Sequence, residues 1–189
     1  MNVAQQLEQY VPVNEQERFD RDLILEFLCT HKDVFSRENR IAHMTASAWV
    51  TNRTHDKVLM VWHNIYNSWS WCGGHADGDE DLLHVAIKEC TEETGVKNVK
   101  PLSIMPISVE CLTVDGHEKR GKYVSSHLHL NLTYLLEADE RETLRVCEGE
   151  NSQVAWFTPD AALKASTEPW FVKRIYAKLN CRLAELLKI

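Results

Sequence analysis

The 189-residue chain has no C-x-x-C pair, no excess of positive charge and no internal repeat or low-complexity linker. It also has no apolar run of the roughly 20 residues that cross a bilayer. Each absence excludes something. Six cysteines, at positions 29, 72, 90, 111, 147 and 181, lie far apart without zinc-ligand spacing. In a chain of this length that pattern reads as reduced thiols rather than a disulfide framework, so a cytoplasmic location is expected. The opening stretch, MNVAQQLEQYVPVNEQERFDRD, is polar and acidic, unlike a signal or transit peptide. The formal charge of −7 lacks the basic footprint that a DNA or RNA scaffold demands. It leaves polyphosphates open as partners, because metal held by carboxylates turns an acidic cleft into a phosphate site.

What is present is the composition of an ordinary globular protein, 44% hydrophobic and 26% charged. Residues 1–40 read as a helical extension: Asn14 before EQE resembles an N-cap, and Leu23, Ile24, Phe27 and Leu28 recur at helical spacing. From 41 to 189 the chain reads as one domain. HMTASAWVT and KVLMVWHN form a hairpin across NRTHD, and SWSWC is a third strand ending at Gly73-Gly74. A helix over 80–94 follows, then strand-like PLSIMPISVECLTV and SSHLHLNLTYLLEA joined by the loop DGHEKRGK. QVAWFTP is the last strand, and a helix over about 168–187 closes the chain. Strands and helices without regular βαβ alternation predict an α+β fold with a mixed sheet.

The segment KECTEETG places Glu89, Glu92 and Glu93 near a helix C-terminus, where carboxylates oppose the macrodipole at roughly 0.3–1 kcal/mol each. Glu89 and Glu93 add a like-charge i,i+4 pair. On a helical wheel the three fan across about a quarter of the circumference, beside an apolar stripe of Leu83, Ala86, Ile87 and Cys90. Gly95 terminates the helix, and Asp79 is the expected N-cap after the loop GGHADGDEDLL. Convergent carboxylates suit a hard divalent cation, which removes the repulsion that makes the bare arrangement costly.

The run Gly74 to Val96 resembles the Nudix box, G-x5-E-x7-R-E-U-x-E-E-x-G-U, with every glycine and glutamate in register. Lys88 stands in place of the arginine, keeping the charge without the planar fork, and Cys90 is a small residue at the bulky apolar position. The resemblance implies a Nudix-like α/β/α sandwich, with the N-terminal helices and the last helix as additions. It implies hydrolysis of a nucleoside diphosphate linked to another moiety, a small-molecule substrate, using Mg²⁺ or Mn²⁺. Carried over by position, Glu89, Glu92, Glu93 and the Gly74 carbonyl are metal ligands, and Lys88 holds a glutamate in place. Glu150, six residues before Trp156, matches an additional acid before a late strand, with Glu148 second. Glu92 or Glu150 is the proton acceptor. Dimers are common among relatives, so a homodimer is one expectation. The isopentenyl-diphosphate isomerases share the fold but have a degraded box, and a nucleotide-sensing Nudix module without turnover is the non-enzymatic alternative.

His127 and His129 alternate with leucines in HLHLNLTYLL, sharing one strand face with Asn131 and Thr133. Together with His75 at the cleft mouth they are candidate substrate-binding residues, and a polar, half-exposed sheet face accounts for the alternation equally well. Zinc binding by the pair lacks a third ligand in the sequence.

Overall fold

The computed structural model describes residues 1–119 and 121–186. Helix α1 (Val3–Gln9) starts from a reciprocal cap in which the Asn2 side chain accepts from the Gln5 N–H and the Gln5 side chain accepts from the Asn2 N–H. Helix α2 (Glu15–Thr30) is capped by Asn14, as its sequence predicts, through a bond from the Glu17 N–H. Four strands follow, β1 (Ala42–Thr51), β2 (Val58–His63), β3 (Ser68–Ser70) and β4 (Cys72–His75). SWSWC is thus two strands, and Gly73-Gly74 lies inside the second instead of ending the first. Helix α3 (Leu82–Thr94) carries the glutamates and stops at Gly95, whose φ of 78° is the left-handed geometry glycine favours.

PLSIMPISVECLTV is not continuous strand: it contains part of the short β5 (Lys100–Pro101) and then β6 (Ser108–Val114). The charged loop is itself a hairpin, β7 (His117–Lys119) with β8 (Lys122–Val124); its Arg120 lies outside the described residues. Strand β9 (His127–Glu137) and β10 (Asn151–Phe157) complete the strands. Helix α4 (Pro159–Ala165) precedes a closing helix. That helix begins as α5 (Pro169–Phe171), widens through a π-helical stretch at Val172–Tyr176 and ends as α6 (Ala177–Leu186). Leu187, the expected last helical residue, is outside the described residues.

The main sheet runs β10-β2-β1-β9-β5, with β3 on β2, β4 on β1 and β6 on β9. It is mixed: β9 runs parallel to β1 along the full length of β1, while β1 pairs antiparallel with β2 and β4. Every residue of β1 is buried, as expected of a central strand covered on both faces. The even-numbered face of β1, Ala42 to Val50, packs with Leu82, Val85, Ala86 and Cys90 of α3 and with Leu7 and Ile24 of the first two helices. The odd face carries Trp49, which joins Leu135, Met60, Tyr176, Leu179 and Leu183 under the final helix. Helices on both faces give the α/β/α sandwich, and the N-terminal helices contribute to the same core as the sheet.

Candidate functional site

The glutamates of α3 meet the paired glycines of β4. Glu93 is only 5% exposed, and its Oε2 accepts a hydrogen bond from the Gly73 N–H at 3.1 Å. Burial pushes its carboxyl well above the ordinary range; the Gly73 N–H opposes this, and the charges of Glu89 and Glu150 add to it. Glu89 is half-buried, and burial raises its carboxyl too. The neighbouring Lys88 pulls it back, while Glu92 and Glu150 push it further up. Two carboxylates that resist ionisation, crowded by further acids, form a site that a cation would satisfy.

Gly74 is required by close approach. A Cβ there would lie 2.5 Å from Glu89 Oε2 and 2.8 Å from Oε1, so any side chain would occupy the carboxylate's place. Glu92 is exposed, its Oε2 3.8 Å from Lys88 Nζ. Lys88 also lies 3.5 Å from Glu89 Oε1, and that carboxylate is the main cause of its raised pKa, with burial opposing.

Glu150 reaches this cluster through a clamp. The Asn151 side chain donates to the Glu93 carbonyl at 2.9 Å and accepts from the Cys147 N–H at 3.1 Å, tying the loop before β10 to the C-terminal end of α3. The Glu150 side chain is exposed and takes the weak Cys147 thiol bond at 3.5 Å. Its charge is felt by both Glu89 and Glu93. Glu148 is exposed on the same loop.

At the other end of α3 the N-cap is Asp81, which accepts from the His84 N–H, and not Asp79 as expected. Asp79 instead accepts from the Asp81 N–H and bonds the His84 ring at 2.7 Å. With only two residues separating Asp79 from Leu82, it shapes the turn ahead of the cap.

His75, His127 and His129 do come together, on the opposite side of the sheet from the glutamates. The two glycines show this: a Cβ on Gly74 would strike Glu89, whereas a Cβ on Gly73 would strike Ser47 on the odd face of β1. His75, two residues on from Gly73, points to the odd face as well. There it joins His127, His129 and a fourth histidine, buried His43. Burial, with the neighbouring histidines adding to it, lowers the His129 pKa to about 2; burial also lowers that of His43.

Sequence reasoning missed His43, the Gly73 N–H and Asn151. The odd parity of His43 in its strand was a legible signal, but its pairing opposite His129 depends on a parallel register across 86 positions. Asn151 carried no signal beyond its place beside Glu150.

Residues 42–179 match the NUDIX domain family model. A probable DHNTP pyrophosphohydrolase of Lactococcus lactis is 25% identical over 142 residues, covering 75% of this chain and 81% of its own. Among solved structures, a NUDIX-family hydrolase from Clostridium perfringens superposes with a TM-score of 0.54 at 22% identity, over 76% of this chain and 97% of its own. The E. coli dihydroneopterin triphosphate pyrophosphohydrolase gives 0.53 at 13% identity, over 73% and 94%. Both structural likenesses establish the shared fold.

Proposed function

The chain belongs to the Nudix family of pyrophosphohydrolases, and from that premise we propose that it uses Mg²⁺ or Mn²⁺ to hydrolyse a nucleoside diphosphate linked to another group. The observation that carries the metal dependence is Glu93: a nearly buried carboxyl held against the Gly73 N–H, with its pKa raised and Glu89 and Glu150 close enough to raise it further. These oxygen donors fit a hard cation better than they fit one another. Glu89, Glu92, Glu93, Glu150 and the Gly74 carbonyl would hold it. When bound, the cation would neutralise charge that develops on the phosphoryl oxygens.

The chain's own residues supply the rest. Lys88 lies between Glu89 and Glu92 and restrains both. Gly74 leaves room for the Glu89 carboxylate, and the Asn151 clamp sets Glu150 against the end of the helix. Hydrolysis joins a water oxygen to one phosphorus as the bridging P–O bond breaks, and one water proton must leave. Glu92 and Glu150, the carboxylates that solvent reaches, are the two acceptors proposed for it. Replacing each by glutamine and following kcat against pH separates them, since only loss of the acceptor removes the acidic limb of the profile, the fall in rate as that carboxylate takes up a proton.

The activity is tested by offering nucleotide sugars, dinucleotides, nucleoside triphosphates and dihydroneopterin triphosphate with Mg²⁺ or Mn²⁺ and weighing the products. The pterin triphosphate is included because two similar proteins are named for it. Glu93→Gln retains an oxygen for the Gly73 N–H, so the fold should persist while metal-dependent turnover falls at least about 100-fold. Undiminished turnover in that variant would remove the carboxylate site from the mechanism. An isomerised product from isopentenyl diphosphate, or tight nucleotide binding without turnover, would replace the hydrolytic reading with one of its two alternatives.

A further inference from the structure

The geometry points to a second metal site: His43, His75, His127 and His129 form a four-imidazole centre for a transition-metal ion of the zinc class, on the sheet face away from the glutamates. Three chain segments meet there. His43 and His129 are directly opposite on the parallel pair β1–β9, and His127 precedes His129 by two residues on the same face. His75 comes from β4, opposite Thr45 of β1. One nitrogen from each ring can be chosen so that all four lie within 4.8 Å of one another. A tetrahedral ion with nitrogen ligands at about 2.0–2.1 Å sets them about 3.3 Å apart. His127 Nε2 and His129 Nε2 are already at 3.1 Å.

The tautomers are set for ligation. His127 Nδ1 donates to the Ser125 carbonyl at 2.8 Å, and His43 Nδ1 donates to the Asn39 carbonyl at 3.0 Å. A carbonyl can only accept, so each Nδ1 holds the proton and each Nε2 of the neutral ring keeps its lone pair. This is the arrangement in which backbone carbonyls orient metal-binding histidines. His43 is 4% exposed, and among the described residues its Nε2 has no hydrogen-bond partner. A buried ring nitrogen with an open lone pair is costly unless something occupies it. The rings of His75, His127 and His129 all pack around it, with centroids 4.9–5.1 Å from that of His43.

Ligand chemistry separates this centre from the glutamates. Imidazole nitrogens suit zinc and its neighbours, whereas Mg²⁺ takes carboxylate and water oxygens. Four protein ligands make a closed, structural centre with no position left for a reacting water. Its place explains what it holds: the starts of β1 and β9 and the end of β4, one residue beyond Gly74. The centre stands or falls independently of the proposed hydrolysis.

The test uses the full-length, metal-stripped protein titrated with Co²⁺ and then Zn²⁺. One Co²⁺ per chain should give the intense visible absorption of four-coordinate cobalt, and one equivalent of Zn²⁺ should abolish it. At a free Zn²⁺ concentration about 100-fold above Kd, Tm should rise by roughly 5–10 °C. His127→Ala and His129→Ala should lose both signals, and Glu93→Gln should keep both. If a histidine variant fails to fold, the wild-type spectrum and the Glu93→Gln spectrum still decide. Weak six-coordinate absorption in the wild type would overturn the proposal. So would strong bands that survive the histidine substitutions or vanish in Glu93→Gln.

Discussion

Lys178→Met should be among the most destabilising single substitutions in the chain. Lys178 Nζ lies 2.8 Å from Glu17 Oε1 and 3.1 Å from Glu110 Oε1, and neither glutamate side chain has any exposure. One ammonium thus joins α2, β6 and α6 inside the protein. The remaining partners are already engaged. Glu110 Oε2 accepts from Asn131 and Thr133 at 3.0 and 3.1 Å, and Glu17 Oε2 accepts from the Val13 N–H at 2.9 Å. The only further cation near Glu17 among the described residues is Arg182, at 3.8 Å.

At an effective dielectric of about 20, the two contacts are worth roughly 6 and 5 kcal/mol of attraction, most of it offset by the cost of desolvating the ions. What survives in the difference is the penalty of buried carboxylates left short of a cation, about 3–5 kcal/mol. Methionine retains the apolar stem, so cavity formation adds little. Urea unfolding of the wild type, Lys178→Met, Glu110→Gln and the double variant measures the effect. The double variant should be more stable than the sum of the singles by about 1–3 kcal/mol, because the glutamine no longer needs the ammonium. A Lys178→Met loss below about 1 kcal/mol, or simple additivity, would refute this account of how α2 and α6 are fastened to the sheet.

Gly74→Ala should leave stability within about 1 kcal/mol, since the overlapping atoms belong to a side chain that can swing away. It should lower kcat/KM about 100-fold through the displaced Glu89, and unchanged kinetics would sever Gly74 from the site. The pH dependence follows from the raised carboxyls of Glu93 and Glu89. The metal-free fold binds their protons more tightly than the unfolded chain does. Their stabilising contribution is therefore complete below pH 4.5, the ordinary glutamate value, and is lost as pH rises through the raised values. Added Mg²⁺ competes with those protons, so its Tm increment should grow as the pH rises above 4.5 and through the raised values. An increment independent of pH across that range, read by thermal denaturation, would contradict it.

The sequence alone determined the helix that carries the clustered glutamates. Its glutamate spacing, its stop at Gly95 and its register after Gly74 are local properties, set by about 100° per residue and by the one residue type that accepts a positive φ without strain. The mixed sheet and the two flanking helical segments were legible for the same reason, since alternation and helical periodicity are short-range patterns. Other features were decided only when distant segments met. The N-cap moved from Asp79 to Asp81 because the glycine-rich turn closes later than its composition suggests. Lys178, Glu17 and Glu110 look like surface charges in one dimension and become a buried cluster through the packing of α2 and α6 on β6. His43 acquired its histidine neighbours only through the pairing of β1 with β9 and with β4. Strand periodicity fixes which face a side chain takes, but not which strand lies beside it; that choice belongs to the chain as a whole.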